Sequence, residues 1–328
     1  RPGRAEVTNV AKSLLKRAGY AVIVLFALSM FVFVLFYVAP GDPARLIAGE
    51  KATPEILAQV RQNLGLDQPI YVQYLRFLGN AFTGDLGFSY RNQVPVITLI
   101  AGRIPATFSL VFGAVFLWLT IGIPLGILSA RHPGTWKDRL AQVVALVGIS
   151  FPTFVLGMML LYTLYFLPRQ NGFTLFPAGG YAEFGAGFFD WFMHLVLPWF
   201  TLALVTAALY QRLTRAQLLD VLGEDYIRTA RAKGLTERRV VYKHGMRATL
   251  TVLSTQLGAD IGYLLGGAIV IEQVFGLQGV GALAVKAVTV QDRPVVIGVV
   301  LLGGFFIVTM NLIVDFLNVA LEPRLRTK

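Results

Sequence analysis

The chain has 328 residues, of which 55% are hydrophobic and 14% charged, a balance that excludes an ordinary soluble domain and fits a multispanning membrane protein. The absence of cysteine rules out disulfides and thiolate metal sites, and His132, His194 and His244 stand too far apart for a His-x-x-x-His or His-Glu-x-x-His ligand set. The net charge of +11 is spread over separate segments and does not form an aromatic-interleaved patch, so a nucleic-acid partner is not indicated.

Residues 1–19 form a polar segment in which Arg1, Arg4, Lys12, Lys16 and Arg17 face a single acid, Glu6. Tyr20 to Ala39 is then apolar for long enough to cross a bilayer core, which takes roughly twenty residues. Its apolar core is too long for a signal peptide and Tyr37-Val-Ala-Pro-Gly-Asp lacks a small-residue cleavage pattern, so it reads as a retained first span. Residues 40–103 are mixed in composition and read as a small folded extramembrane segment. Thr53-Pro54-Glu55 supplies an N-cap hydroxyl, a proline at the first helical position and an acid in the first turn, with Leu57, Val60 and Leu64 following at helical spacing. Pro69 to Asn80 predicts a second short helix with Tyr71, Tyr74, Leu75 and Leu78 on one side.

Five more long apolar stretches follow, at 104–130, 140–167, 194–210, 249–275 and 295–319. Pro105, Pro124, Pro152 and Pro198 lie in or at the ends of these spans, where neighbouring helices re-satisfy the freed backbone groups. Gly258, Gly262, Gly266 and Gly267 are spaced for close helix approach, which predicts the fifth span at the centre of a bundle. The reading is therefore an all-α integral membrane protein with six transmembrane helices over 20–319 and both termini on one side. With the N-terminus cytoplasmic, segments 1–19, 131–139, 211–248 and 320–328 hold 20 of the 29 basic residues on the inside. That count gives N-in, C-in, an extracytoplasmic 40–103 segment and a cytoplasmic C-terminal tail at 320–328.

Between the fourth and fifth spans, Glu224 to Arg247 is polar, basic and helix-forming on both sides of Gly234. A glycine there allows a sharp turn between two short helices, the second starting at Thr236-Glu237. Helices at the end of membrane spans predict a contact surface, against the plainer alternative of a solvated connection. No Walker A sequence occurs in the chain, so ATP as an energy source would have to be bound by another subunit.

Gly65-Leu-Asp-Gln-Pro-Ile-Tyr-Val-Gln-Tyr-Leu-Arg-Phe-Leu-Gly79, Gly84-Asp-Leu-Gly-Phe-Ser-Tyr90, Arg103-Ile-Pro-Ala-Thr107, Ser150-Phe-Pro-Thr-Phe154, Leu175-Phe-Pro-Ala-Gly179, Ile271-Glu-Gln-Val-Phe-Gly-Leu277 and Glu322-Pro-Arg-Leu-Arg326 together resemble the permease of dipeptide and oligopeptide ABC importers, the member of the pair with the large first external loop. The resemblance runs from the first span to the C-terminus, departing at Gln278, where proline is common, and at Glu322, where aspartate is usual. Such permeases carry a cytoplasmic loop patterned Glu-Ala-Ala-x-x-x-Gly and, further on, Ile-x-Leu-Pro. Arg228-Thr229-Ala230 and Gly234 occupy the first part of that pattern and His244 to Arg247 the second, with Ala230 and Gly234 the literal matches.

The resemblance implies a bacterial inner-membrane permease subunit that forms half of a translocation pathway for short peptides. Its implied partners are a second homologous permease, two ATP-binding subunits carrying ATP and magnesium, an extracytoplasmic peptide-binding protein and membrane lipid. Arg228, Thr229, Ala230, Gly234, Leu235 and His244 are then the ATPase-coupling residues, and the chain itself has no catalytic, cofactor or metal site. Nickel chelates, glutathione or another small solute are alternative cargoes. A proton-coupled secondary transporter is a more remote reading, for which Asp260 is the one intramembrane hint.

Asp260, mid-way along the fifth apolar run, either lines the pathway or plays a structural, hydrogen-bonded part. Glu272 is the second pathway candidate; it and Asp315 lie near span ends, where the structural role weighs more. Arg228, Arg231, Lys233, Arg238 and Arg239 suit acidic residues of an ATPase or anionic headgroups. His194, Trp136, Trp191 and Trp199 read as interfacial residues.

Overall fold

The computed structural model describes residues 4–38, 44–45 and 52–321. The start of the 40–103 segment at residues 40–43, the Glu322-to-Arg326 motif and most of the 320–328 tail lie outside the described residues. Among the described residues the chain is helical, with a single isolated bridge between Phe88 and Pro95. The first span lies in Arg4–Phe33, the second in Ile104–Arg131, the fourth in Phe188–Leu222 and the sixth in Arg293–Leu321; each passes as one apolar helix. The third and fifth are bent pairs, so the chain has six spans when each pair counts as one.

The third apolar run, read as one span over 140–167, is two helices, Trp136–Ser150 and Thr153–Gln170, meeting at 94°. Pro152 explains the break. It has no N–H to donate and its ring disfavours the helical conformation in the preceding residue, so Phe151 is extended, with φ −101° and ψ 131°. The fourth run, read as ending at Tyr210, continues as helix to Leu222. Gln211, Arg212, Arg215 and Asp220 end the apolar character without breaking the helix. Thirty-five residues at 1.5 Å rise extend about 52 Å, well beyond a bilayer core of about 30 Å.

The structure divides into two compact units. One groups residues 17–104 with 280–309. Its short helices Pro54–Leu64 and Ile70–Thr83 both end on a left-handed glycine, Gly65 at φ +65° and Gly84 at φ +80°. The second helix turns Tyr74, Phe77 and Leu78 inward, while Tyr71 and Leu75 are exposed, which shifts the predicted face by one position. Phe77 fixes this face: with Phe33 and Tyr74 it forms an aromatic cluster on Val32 and Ile297, and the Tyr74 hydroxyl meets Ser29 Oγ at 2.9 Å. Asp292, also buried, accepts hydrogen bonds from Ser89 Oγ at 2.5 Å and from the Tyr90 N–H at 3.1 Å, tying the loop before Val96–Ala101 to the start of the last helix.

The other unit groups residues 105–279 with the two chain ends. Its centre is the fourth span, which packs against the second, both halves of the third, and the fifth. The fifth span's glycines explain less than their spacing suggests. A Cβ on Gly258 would stand 3.0 Å from Val314 and one on Gly267 3.3 Å from Leu202, but one on Gly266 would meet no described residue within 4 Å. The closest approaches belong to the second and fourth spans. Gly113 gives its space to the Trp199 indole, a Cβ on Gly122 would stand 2.6 Å from the Ala207 carbonyl oxygen, and one on Gly126 would stand 2.7 Å from that of Gln211.

Trp199 is accordingly a core residue, 7% exposed, and not an interfacial anchor. Its indole N–H donates to the Ser109 carbonyl at 2.8 Å, while that of Trp191 donates to Ser109 Oγ at 3.2 Å and the two indoles meet edge to face. Trp136 remains on the surface, 69% exposed.

Candidate coupling hairpin and intramembrane carboxylates

The fourth span ends at Gly223, and Glu224 in extended conformation opens the short helix Asp225–Ala232. That helix is amphipathic. Ile227 and Ala230 are buried with Val240 against Val221, Leu222 and Leu235, so its inner face is fastened to the end of the fourth span. Gly234 closes it at φ +76°; the Gly234 N–H donates to the Arg231 carbonyl at 2.9 Å and the Leu235 N–H to that of Ala230 at 3.3 Å, which satisfies the last carbonyls of the helix.

Thr236 is the N-cap of the next helix, as its sequence predicts, with φ −61° and ψ 144°. This helix is not a second short arm. From Glu237 it runs through a π turn at Val240–Gly245 into the fifth span, so the hairpin has one free helix and one arm continuous with the membrane. Across the turn Arg231 donates to both Glu237 oxygens, at 2.8 and 3.2 Å. Both side chains are substantially exposed, so the pair holds the turn's shape more than it adds stability.

The predicted coupling residues fall into three groups. Arg228, Thr229 and Gly234 are exposed on the hairpin's outer side; Arg228 pairs with Asp225 at 3.3 Å and Thr229 donates to the Asp225 carbonyl at 3.0 Å. Ala230 and Leu235 turn inward and hold the hairpin together. His244 stands apart, half-buried in the π turn at the root of the fifth span.

In the membrane, Asp260 is half-buried and accepts a hydrogen bond from Gln256 Nε2 at 2.9 Å. One span away, the buried Tyr210 ring packs on Trp118 at 5.9 Å between centroids. Glu272 is 1% exposed. Thr107 Oγ1 donates to it at 2.5 Å, and Gly279 lies so close that any Cβ there would overlap the carboxylate. Beside it the Phe275 carbonyl accepts from the Gly180 N–H at 2.8 Å, and Gly179, at φ +131°, lies against the same carbonyl. Thr107, the Leu175-to-Gly179 stretch and the Ile271-to-Leu277 stretch, far apart in sequence, thus meet in one place. Among the described residues no group of His, Asp or Glu side chains is arranged to hold a metal.

Two further polar features escape the sequence. The Trp118 indole, the Gln211 amide and the Thr214 hydroxyl have buried polar atoms without a hydrogen-bond partner among the described residues, along the second and fourth spans. Asp138 is buried at the start of the third span and bonded to Arg215. The only sequence signal for either was a cluster of polar residues after Tyr210, which reads as loop until the helix is seen to continue.

The family described as "Binding-protein-dependent transport system inner membrane component" matches residues 122–327, and the corresponding N-terminal family matches residues 10–111. The chain is 42% identical over 304 residues to the glutathione transport system permease protein GsiC of Escherichia coli O6:H1, covering 93% of this chain and 95% of that protein. It is 41% identical, with the same coverage, to the proteins of the same name from Escherichia coli K12 and Shigella flexneri serotype 5b. The inward-facing MetNI methionine ABC transporter contains a chain of like fold, with a TM-score of 0.53 and 18% identity, covering 69% of this chain and 97% of that one. The chain therefore belongs to the binding-protein-dependent transport system inner membrane components and is a multi-pass permease subunit of an ABC importer in the peptide and glutathione group.

Proposed function

We propose that this permease forms half of a translocation pathway for short peptides, with glutathione, itself a tripeptide, the first cargo to test. An extracytoplasmic binding protein delivers the cargo, a second homologous permease completes the pathway, and two ATP-binding subunits hydrolyse ATP with magnesium beneath them. The observation that carries this reading is the Glu224-to-Arg247 hairpin. Its inner face is packed on the fourth span and its outer face is polar and exposed, the form expected of a rigid knob that seats in another protein and passes movement to the helices. The names of the relatives support glutathione within the wider peptide class.

The test is uptake of labelled glutathione, and of a labelled alanine tripeptide, into vesicles containing the whole importer. The expected result is uptake that requires internal ATP and the binding protein. Uptake driven by a proton gradient in the absence of ATP would contradict the reading.

A further inference from the structure

Asp138 is a buried carboxylate that accepts hydrogen bonds from four residues. It lies in the first turn of Trp136–Ser150 with its side chain 2% exposed. Arg215, on the extension of the fourth span beyond Tyr210, grips it through a two-pronged contact, Nε to Oδ1 at 2.8 Å and Nη2 to Oδ2 at 2.8 Å. Ser129 Oγ also donates to Oδ1, Gln142 Nε2 does so at 2.8 Å, and the Gly134 N–H donates to Oδ2 at 2.9 Å. One carboxylate therefore binds the end of the second span, the turn after it, the start of the third span and the stem of the fourth.

The stem that Arg215 belongs to is also the seat of the hairpin. One turn further on, Leu218 is fully buried among Ile127, Ala130, Val241 and Met246, and Val221 and Leu222 then cover Ile227 and Val240. Apolar contacts of this kind hold elements together but tolerate sliding and rotation. A planar guanidinium forked onto a carboxylate whose other lone pairs are also filled fixes an angle. Apolar side chains of similar volume commonly stabilise a protein as well as a buried ion pair does, so a gain in directionality is the better account of this one.

We propose that Asp138 and Arg215 are positioning residues for energy coupling. They lock the stem of the hairpin to the turn between the second and third spans, so that movement imposed on the hairpin reaches three spans as one body. The proposal rests on the hairpin being the ATPase contact.

The absence of native cysteine in this chain allows a direct test with spin labels at Arg139→Cys and Ala232→Cys, both exposed positions, in the assembled importer. In the parent the distance between the labels is expected to be single and unchanged when ATP and vanadate are added. In Asp138→Asn, which removes the charge, and in Arg215→Lys, which keeps the charge but loses the fork, a shifted or second distance is expected under ATP and vanadate. ATP-driven uptake is expected to fall by about tenfold, within the usual range of coupling between sites, while ATP hydrolysis persists. A single, nucleotide-independent distance in both variants would overturn the proposal, as would the failure of both to assemble, which would make the clasp a folding element only. The hairpin reading is checked separately in the parent. The Ala232 label should be shielded from a soluble paramagnetic reagent by the ATP-binding subunit; an unshielded label would remove that reading, and the clasp's role with it, whatever the variants do.

Discussion

Single residues decide how closely the spans approach one another, and the glycines show it best. A Cβ on Gly126 would stand 2.5 Å from Thr214 Cβ and 2.7 Å from a backbone oxygen, and backbone in a packed helix pair yields poorly. Gly126→Ala is therefore expected to destabilise the detergent-solubilised protein by about 1–3 kcal/mol, read as a lower melting temperature. Gly266→Ala, where a Cβ would meet no described residue within 4 Å, should leave that temperature unchanged, and equal effects would contradict the packing.

A second prediction concerns the buried Glu272. Thr107→Val removes a hydroxyl that donates to this carboxylate and should cost about 1.5–3 kcal/mol, whereas Thr107→Ser should recover most of the loss; unfolding in denaturant measures both. Glycine spacing is legible in the sequence, but which spacing marks the tightest helix contact is not. Gly122-x-x-x-Gly126 is as visible in the chain as the run from Gly258 to Gly267, yet what a glycine admits depends on the helix opposite, which local pattern does not specify. Trp199 was misplaced for a related reason: an indole suits an interface, but its seat at Gly113 is distant in sequence.

At the scale of elements, long apolar runs locate six spans when each bent pair counts as one, and the structure moves the ends of several. Composition alone admits Pro152 within a span, whereas its effect on Phe151 turns the chain through 94°. Polar residues after Tyr210 were read as the end of a helix, although they mark its exit from the apolar zone. The hairpin was legible because it rests on local chemistry, a left-handed glycine and an N-cap threonine.

The length of its second arm is not legible, because the start of a short helix and the start of a long one carry the same signal. The hairpin's shape gives the third prediction. A Cβ on Gly234 would meet no described residue within 4 Å, so the cost of a valine there is set by backbone strain, about 1–2 kcal/mol for a left-handed residue. Gly234→Val should weaken association with the ATP-binding subunit and abolish peptide-stimulated hydrolysis, while Gly234→Asn should be nearly neutral. Replacing Arg238 and Arg239 by glutamine should do less than the valine. The reverse ranking would make this segment an electrostatic patch.

For the whole molecule, charge counting predicts an N-in, C-in orientation, with residues 40–103 outside the cell and the hairpin within. A cysteine at Gln62, on the exposed face of Pro54–Leu64, should react with a membrane-impermeant thiol reagent in intact cells. Reaction only after lysis would invert the topology.

The central claim, that the Glu224-to-Arg247 hairpin is where ATP hydrolysis is felt by this permease, is tested most directly by site-specific photocrosslinking in native membranes. A photoreactive residue in place of the exposed Arg228 should capture the ATP-binding subunit, and adding Gly234→Val should abolish the adduct. A photoreactive residue at Phe184, in the segment between the third and fourth spans, should capture none of it. Capture from Phe184 but not from Arg228 would contradict the account.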